Sequence, residues 1–101
     1  MSSTVGPYIF PTIVKVLTAN YTAGDESILL CDPTGASFTI TMPAMATALN
    51  RRYYIKRTDV SNNTVTVAVT DGTLDGDATF VISAKEGSIT LVTDGVGWFI
   101  L

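Results

Sequence analysis

Asp71, Asp75 and Asp77 lie close together in the stretch DGTLDGD, and three carboxylates at such spacing could hold a divalent cation or act as proton donors. A calcium loop of the EF-hand type needs oxygen ligands at alternate positions, a glycine at the bend and a distant glutamate. Here the carboxylates are not spaced that way and no glutamate stands at the required place. Gly72 and Gly76 follow two of the aspartates, and Asp-Gly pairs supply the positive φ that tight turns demand. The stretch is therefore expected to form bends between strands, with Leu74 pointing inward as a plug and no metal bound.

The remaining reactive groups argue the same way. Asp25 and Glu26 are adjacent just before an extended segment, so their side chains should diverge and not act on one bond. Histidine is absent, which removes Ser-His and Cys-His nucleophilic pairs and the usual imidazole zinc sites. Cys31 stands in the apolar run ILLCD and reads as a small core residue, without a second cysteine for an internal disulfide. No glycine-rich phosphate loop occurs. These features predict a protein that is not an enzyme, with no catalytic residues and no cofactor.

The whole-chain balance points to assembly. The chain has 101 residues, enough for one domain. Charged residues make up 15%, against about 25% in ordinary globular domains. Positions that normally meet water are filled by Thr, Ser and Ala, as expected where other chains cover part of the surface. A net charge of −3 speaks against nucleic acid as the main partner. The basic run RRYYIKR alternates, with Arg52, Tyr54 and Lys56 on one strand face and Tyr53, Ile55 and Arg57 on the other. That run is expected to pair its outer face with acidic neighbours. No apolar run is long enough to span a membrane, and the N-terminus lacks the pattern of a secretory signal, so synthesis in a cytoplasm is expected.

The elements that must position these residues are short strands. Period-2 alternation of Thr, Val and Ile dominates from residue 36 onward, interrupted by Asp-Pro-Thr-Gly, Ser-Asn-Asn, Asp-Gly and Glu-Gly turns. This pattern predicts an all-β fold: a single antiparallel β-sandwich or barrel-like domain of about eight strands over residues 13–101. Its inner face is expected to carry Phe38, Ile40, Val65, Val67, Phe80, Ile82, Leu91 and Trp98, with either parity open for any one strand. PAMATALN, residues 43 to 50, is expected to make a helical turn. Residues 1–12 are expected to form an extended N-terminal arm, held open by Pro7 and Pro11 yet too apolar for a solvated tail. Tyr8, Ile9 and Phe10 are its candidate anchors on a partner surface.

The order of segments from Leu17 to Leu101 resembles a small β domain recurrent in tailed-bacteriophage virion proteins. The family pattern is an early Y-T…D…I…D…G…I-T-L-P, then Y-x-I-K-x-x-D-x-S…N-x-V-T-V, then I-D-G and S-x-x-L-x-x-D-G-x-x-W. The matching residues are Tyr21, Asp25, Ile28, Asp32, Gly35, Ile40 and Pro43, then Tyr54, Ile55, Lys56, Asp59, Ser61, Asn63, Val65 and Val67. They end with Asp75, Gly76, Ser88, Leu91, Asp94, Gly95 and Trp98; Met42 and Leu74 stand where the family has Leu and Ile. The resemblance implies a virion structural protein and a homotrimer, and it brings no catalytic residues. With the domain preceded only by the arm, it implies a capsid decoration (cement) protein bound to the major capsid protein through Tyr8, Ile9 and Phe10. The alternative it implies is a tail-fibre or receptor-binding module, with turn tips at Thr73 to Asp77 or Asp94 to Gly97 and the aromatics Trp98 and Tyr54 reading a host glycan.

Overall fold

The computed structural model describes residues 13–101, so the arm with Tyr8, Ile9 and Phe10 lies outside the described residues. Nine strands follow in order: β1 (Val14–Leu17), β2 (Tyr21–Thr22), β3 (Ile28–Cys31), β4 (Phe38–Met42), β5 (Tyr53–Arg57), β6 (Val65–Val69), β7 (Thr79–Ile82), β8 (Ser88–Thr93) and β9 (Trp98–Ile100). PAMATALN holds the expected helical turn, a 3₁₀ element at Met45–Thr47.

The strands form a five-stranded sheet ordered β1-β3-β5-β8-β9 and a four-stranded sheet ordered β2-β4-β6-β7. Through β6 the chain alternates between the sheets. Each return lays the new strand parallel to its predecessor in the same sheet: β1 with β3, β3 with β5, β2 with β4 and β4 with β6. The geometry is that of three successive coils of a flattened β-helix. Antiparallel strands then close it, β7 on β6 in one sheet and β8 and β9 beyond β5 in the other. This corrects the expected single antiparallel domain of about eight strands: the fold is all-β, but its sheets are mixed and the described residues hold nine strands. Alternation reports which side of a strand is buried and carries no information on strand direction. The Asp-Pro-Thr-Gly, Ser-Asn-Asn and Glu-Gly turns carry the chain from one sheet to the other, whereas the Asp-Gly turns after β6 and β8 join antiparallel neighbours within a sheet.

One hydrophobic cluster draws on both sheets. Leu29, Cys31, Tyr53, Ile55, Leu91 and Trp98 come from the five-stranded sheet, and Phe38, Ile40, Met42, Val65, Val67 and Ile82 from the four-stranded one. Seven of the eight expected inner residues are buried; Phe80 is not, at 39% exposure. Its parity is right, because it pairs with the buried Val67, but β7 is the last strand of its sheet and the core does not reach over it.

Arg57 takes the last inward position of β5 and is fully buried. Its Nε and Nη2 donate to the two carboxylate oxygens of Asp59 at 2.8 and 2.9 Å. Nη2 also reaches the Ser61 carbonyl at 3.0 Å, and Nη1 the Ser83 carbonyl at 2.9 Å. Asp59 further accepts the backbone N–H and the hydroxyl of Ser61. The basic run therefore pairs with acid on its inner side, not its outer one, where Lys56 Nζ donates to the Glu86 carbonyl at 2.6 Å.

Hydrogen bonds from Arg57 and Ser61 hold the Asp59 carboxyl well below the usual carboxylate range. The native state thus binds this proton less readily than the unfolded chain. The stability it contributes is fully present above the ordinary value of 3.8 and is lost as pH falls below that. Chemical denaturation followed by circular dichroism should show a midpoint that declines steeply below about pH 4. Asp59→Asn, which leaves Arg57 buried without its counter-charge, should lower the midpoint strongly at neutral pH and flatten that acid dependence.

Candidate functional site

The groups with chemical potential are occupied in turns and core. Asp71 Oδ1 accepts the backbone N–H of Met45 at 3.0 Å, and Asp75 Oδ1 that of Ile100 at 3.2 Å. Gly72, Asp75 and Gly76 have φ of 71°, 50° and 88°, the left-handed backbone that bends require. A side chain at Gly72 would also collide with Met45, whose Cε lies 2.8 Å from the position of an added Cβ. Leu74 is buried between these bends, as expected of a plug. Among the described residues no three His, Cys, Asp or Glu side chains gather as a metal would need.

The other candidates separate similarly. Asp25 is exposed while Glu26 is buried, so the adjacent carboxyls do diverge. Burial would raise the Glu26 carboxyl, but the Tyr21 hydroxyl, the Gly24 N–H and Lys15 outweigh it and hold the group below its usual range. Cys31 is buried, and desolvation pushes its thiol up to about 12, far from a reactive thiolate. Trp98 is fully buried and meets the ring of Tyr53 edge-on at 5.8 Å, so it offers no platform to a sugar; Tyr54 remains on the surface.

What the fold does present is two broad sheet faces of unusual composition. Residues in register share a face, so the outer side of the five-stranded sheet can be read row by row. One row runs Val14, Ile28, Tyr54, Thr90, and the next Val16, Leu30, Lys56, Ser88. Val92 pairs with Phe99 beyond them, and Leu101 bonds to Thr90. Val14, Val16, Tyr54, Phe99 and Leu101 are exposed, Val16 at 68% and Leu101 at 69%. Arg52 and Lys56 are the charges of this face among the described residues.

The outer side of the four-stranded sheet carries the rows Thr22, Thr41, Ala68, Thr79 and Thr39, Thr66, Val81, with no charge among them. At its β2 edge lies an open groove of about 350 Å³ lined by Asn20, Tyr21, Thr22, Thr39 and Thr41. Asn20 Oδ1 accepts the Thr39 N–H there at 2.8 Å. The sequence hinted at these faces through low charge and threonine content, but the sheet order was needed to unite residues as distant as Val16 and Leu101.

No family model matches the sequence, and no curated protein is significantly similar to it.

If the acidic tip is structural, its plug should matter and calcium should not. Leu74→Ala should cost roughly 2–5 kcal/mol in denaturant titrations. Millimolar calcium should leave the melting temperature of the unaltered protein unchanged in calorimetry.

Proposed function

We propose that the chain is a structural virion protein of a tailed bacteriophage, a sandwich-like β domain acting as a homotrimeric capsid decoration protein. It works by contact and not by chemistry. The observation that carries this reading is the outer face of the five-stranded sheet, where Val14, Val16, Tyr54, Phe99 and Leu101 stand exposed with few charges between them. Water contact with these side chains is unfavourable, and covering them with like faces of neighbouring copies removes the penalty. Three copies turning this face toward a common axis would leave the threonine faces and turn tips outward. The ordered resemblance to virion domains supplies the particle and the number of copies. In this reading the arm binds the major capsid protein with Tyr8, Ile9 and Phe10, and three arms per trimer act together through effective concentration.

The hydroxyl-lined groove at Asn20, Tyr21, Thr22, Thr39 and Thr41 favours a second reading, a tail-fibre or receptor-binding module. Neutral sugar hydroxyls suit such donors and acceptors better than the buried Trp98 would. Loss of host-cell binding on Thr39→Val with Thr41→Val, the fold being intact, would favour that reading over decoration.

For the principal reading, Val16→Glu should preserve the β spectrum but weaken self-association about tenfold or more, since burying a valine contributes roughly 1.5–3 kcal/mol. Sedimentation equilibrium measures this. Deleting residues 2 to 12 should leave folding and oligomerisation unchanged and abolish most binding to undecorated capsids. Full occupancy by the truncated protein would overturn the role given to the arm.

A further inference from the structure

Ile13 stands at one end of the five-stranded sheet. Its carbonyl accepts the N–H groups of Ser27 and Ile28 at 2.9 and 3.1 Å, and the Ser27 carbonyl accepts the Tyr54 N–H at 2.8 Å. Residues 1–12 therefore join the described fold at the end where β3 and β5 begin. Three loops meet at that same end: residues 43–52 lead into β5, residues 70–78 lead out of β6, and residues 94–97 join β8 to β9. They lie against one another. A Cβ added at Gly72 would come within 2.8 Å of Met45 Cε and 3.2 Å of the Val96 carbonyl, and one at Gly95 within 3.4 Å of Leu49 Cδ2.

Val96 and Leu49 stand out from this end, 81% and 47% exposed. Val96 is the most exposed large apolar side chain among the described residues. Single apolar groups are common on protein surfaces, but these two are neighbours, and the turn that presents Val96 is fixed. Asp94 Oδ1 accepts the Val96 and Gly97 N–H groups at 2.8 and 3.0 Å. A turn already held in place has little freedom left to lose on docking.

Charge gives the sign of the partner. The three loops carry Asp71, Asp75, Asp77 and Asp94, all exposed. Against them stand Arg51 and Arg52, both drawn toward tyrosines: Arg51 lies 5.4 Å over the Tyr53 ring, and Arg52 Nη1 is 3.5 Å from the Tyr54 hydroxyl. At the opposite end Asp32, Asp59 and Glu86 are offset by Lys56, Arg57 and Lys85. The molecule thus has an acidic pole with an apolar tip, at the end where residues 1–12 join it. Such a pole repels nucleic acid and anionic lipid. Its complement is a cationic protein surface with an apolar recess.

We propose that this pole docks on a basic protein surface, with Val96 and Leu49 entering an apolar recess and the aspartates facing lysines or arginines. The inference rests on the decoration reading for the identity of that protein. Residues 1–12 join the fold at this end, so a capsid protein that they grip is brought against the pole.

The test is titration of undecorated capsids with the full chain and its variants, at low and high salt. Val96 and Asp77 are both exposed, and Asp77 builds its turn through its backbone, whose N–H and carbonyl both bond to Leu74. Val96→Lys and Asp77→Lys should therefore keep the β spectrum and the denaturation midpoint. Each sets a cation against a cationic surface and should weaken capsid binding about tenfold or more. Asp77→Glu should bind as the unaltered protein does. Salt should weaken binding of the unaltered protein, and that of Asp77→Lys less steeply. Undiminished binding by folded Val96→Lys and Asp77→Lys, with binding lost on deleting residues 2 to 12, would overturn this proposal and leave the arm's role standing. Absence of capsid binding by the unaltered protein at either salt would overturn the decoration reading and this proposal with it.

Discussion

Arg57 stands in a row whose other members are apolar: Leu17 on β1 and Cys31 on β3 share its register and its inward face. A guanidinium there is tolerable only if its donors are met, and four of its N–H bonds are: two on the Asp59 carboxylate, one on the Ser61 carbonyl and one on the Ser83 carbonyl. These acceptors belong to the two loops that follow β5 and β7. The backbone repeats the link, with Glu86 N–H on the Asp59 carbonyl at 3.0 Å and Arg57 N–H on the Gly87 carbonyl at 2.8 Å. Burying this pair gains little net energy over an apolar pair of the same volume. What it supplies is position: loop carbonyls that have no strand partner find donors only if both loops close over this end of the core.

That closure matters because the two sheets are joined by crossing loops more than by hairpins. Each crossing must hold its height on the neighbouring coil or the register slips and inner residues turn outward. Asn63 helps, donating to the Pro33 and Thr34 carbonyls at 2.8 and 3.2 Å and so tying the third coil's crossing to the second's. At the opposite end Thr70 Oγ1 donates to the Met42 carbonyl at 2.7 Å, and Asp71 takes up the N–H of Met45. With both ends stitched, the strands between need only alternate, which is the pattern that the valines and threonines of β4 and β6 provide.

The sequence made several of these features legible because they are local. Asp-Gly turns follow from backbone sterics at two adjacent residues, so the acidic stretch could be read as bends and Leu74 as a plug. The parity of Tyr53, Ile55 and Arg57 against Arg52, Tyr54 and Lys56 follows from the pleat of a single strand. Strand direction is not local. Whether β5 lies parallel or antiparallel to β3 depends on which sheet residues 32–37 lead to, and no residue within β3 encodes that. The fate of Arg57 was hidden for a related reason. An arginine at an inward parity reads as an error in the pattern until Asp59 and two loop carbonyls are brought around it, although the D-x-S spacing of Asp59 and Ser61 was the visible trace of that network. Phe80 fails differently: its parity is right, but edge position depends on strand order and decides its exposure.

The low charge of the chain goes further than composition suggests. Six of the nine acidic residues have carboxylates that accept hydrogen bonds from the protein itself: Glu26, Asp32, Asp59, Asp71, Asp75 and Asp94. Asp94, for example, is held below the usual carboxylate range by the N–H groups of Val96 and Gly97. Charge that shapes turns is confined to the ends of the strands, where crossing loops need it. Apart from Arg52 and Lys56, the broad faces between those ends are left to valine, leucine, tyrosine, phenylalanine and threonine. A monomer gains solubility from charge spread over its faces, and this chain places its charge where it holds loops instead. The arrangement is coherent with the proposed decoration role, in which neighbours would cover those faces.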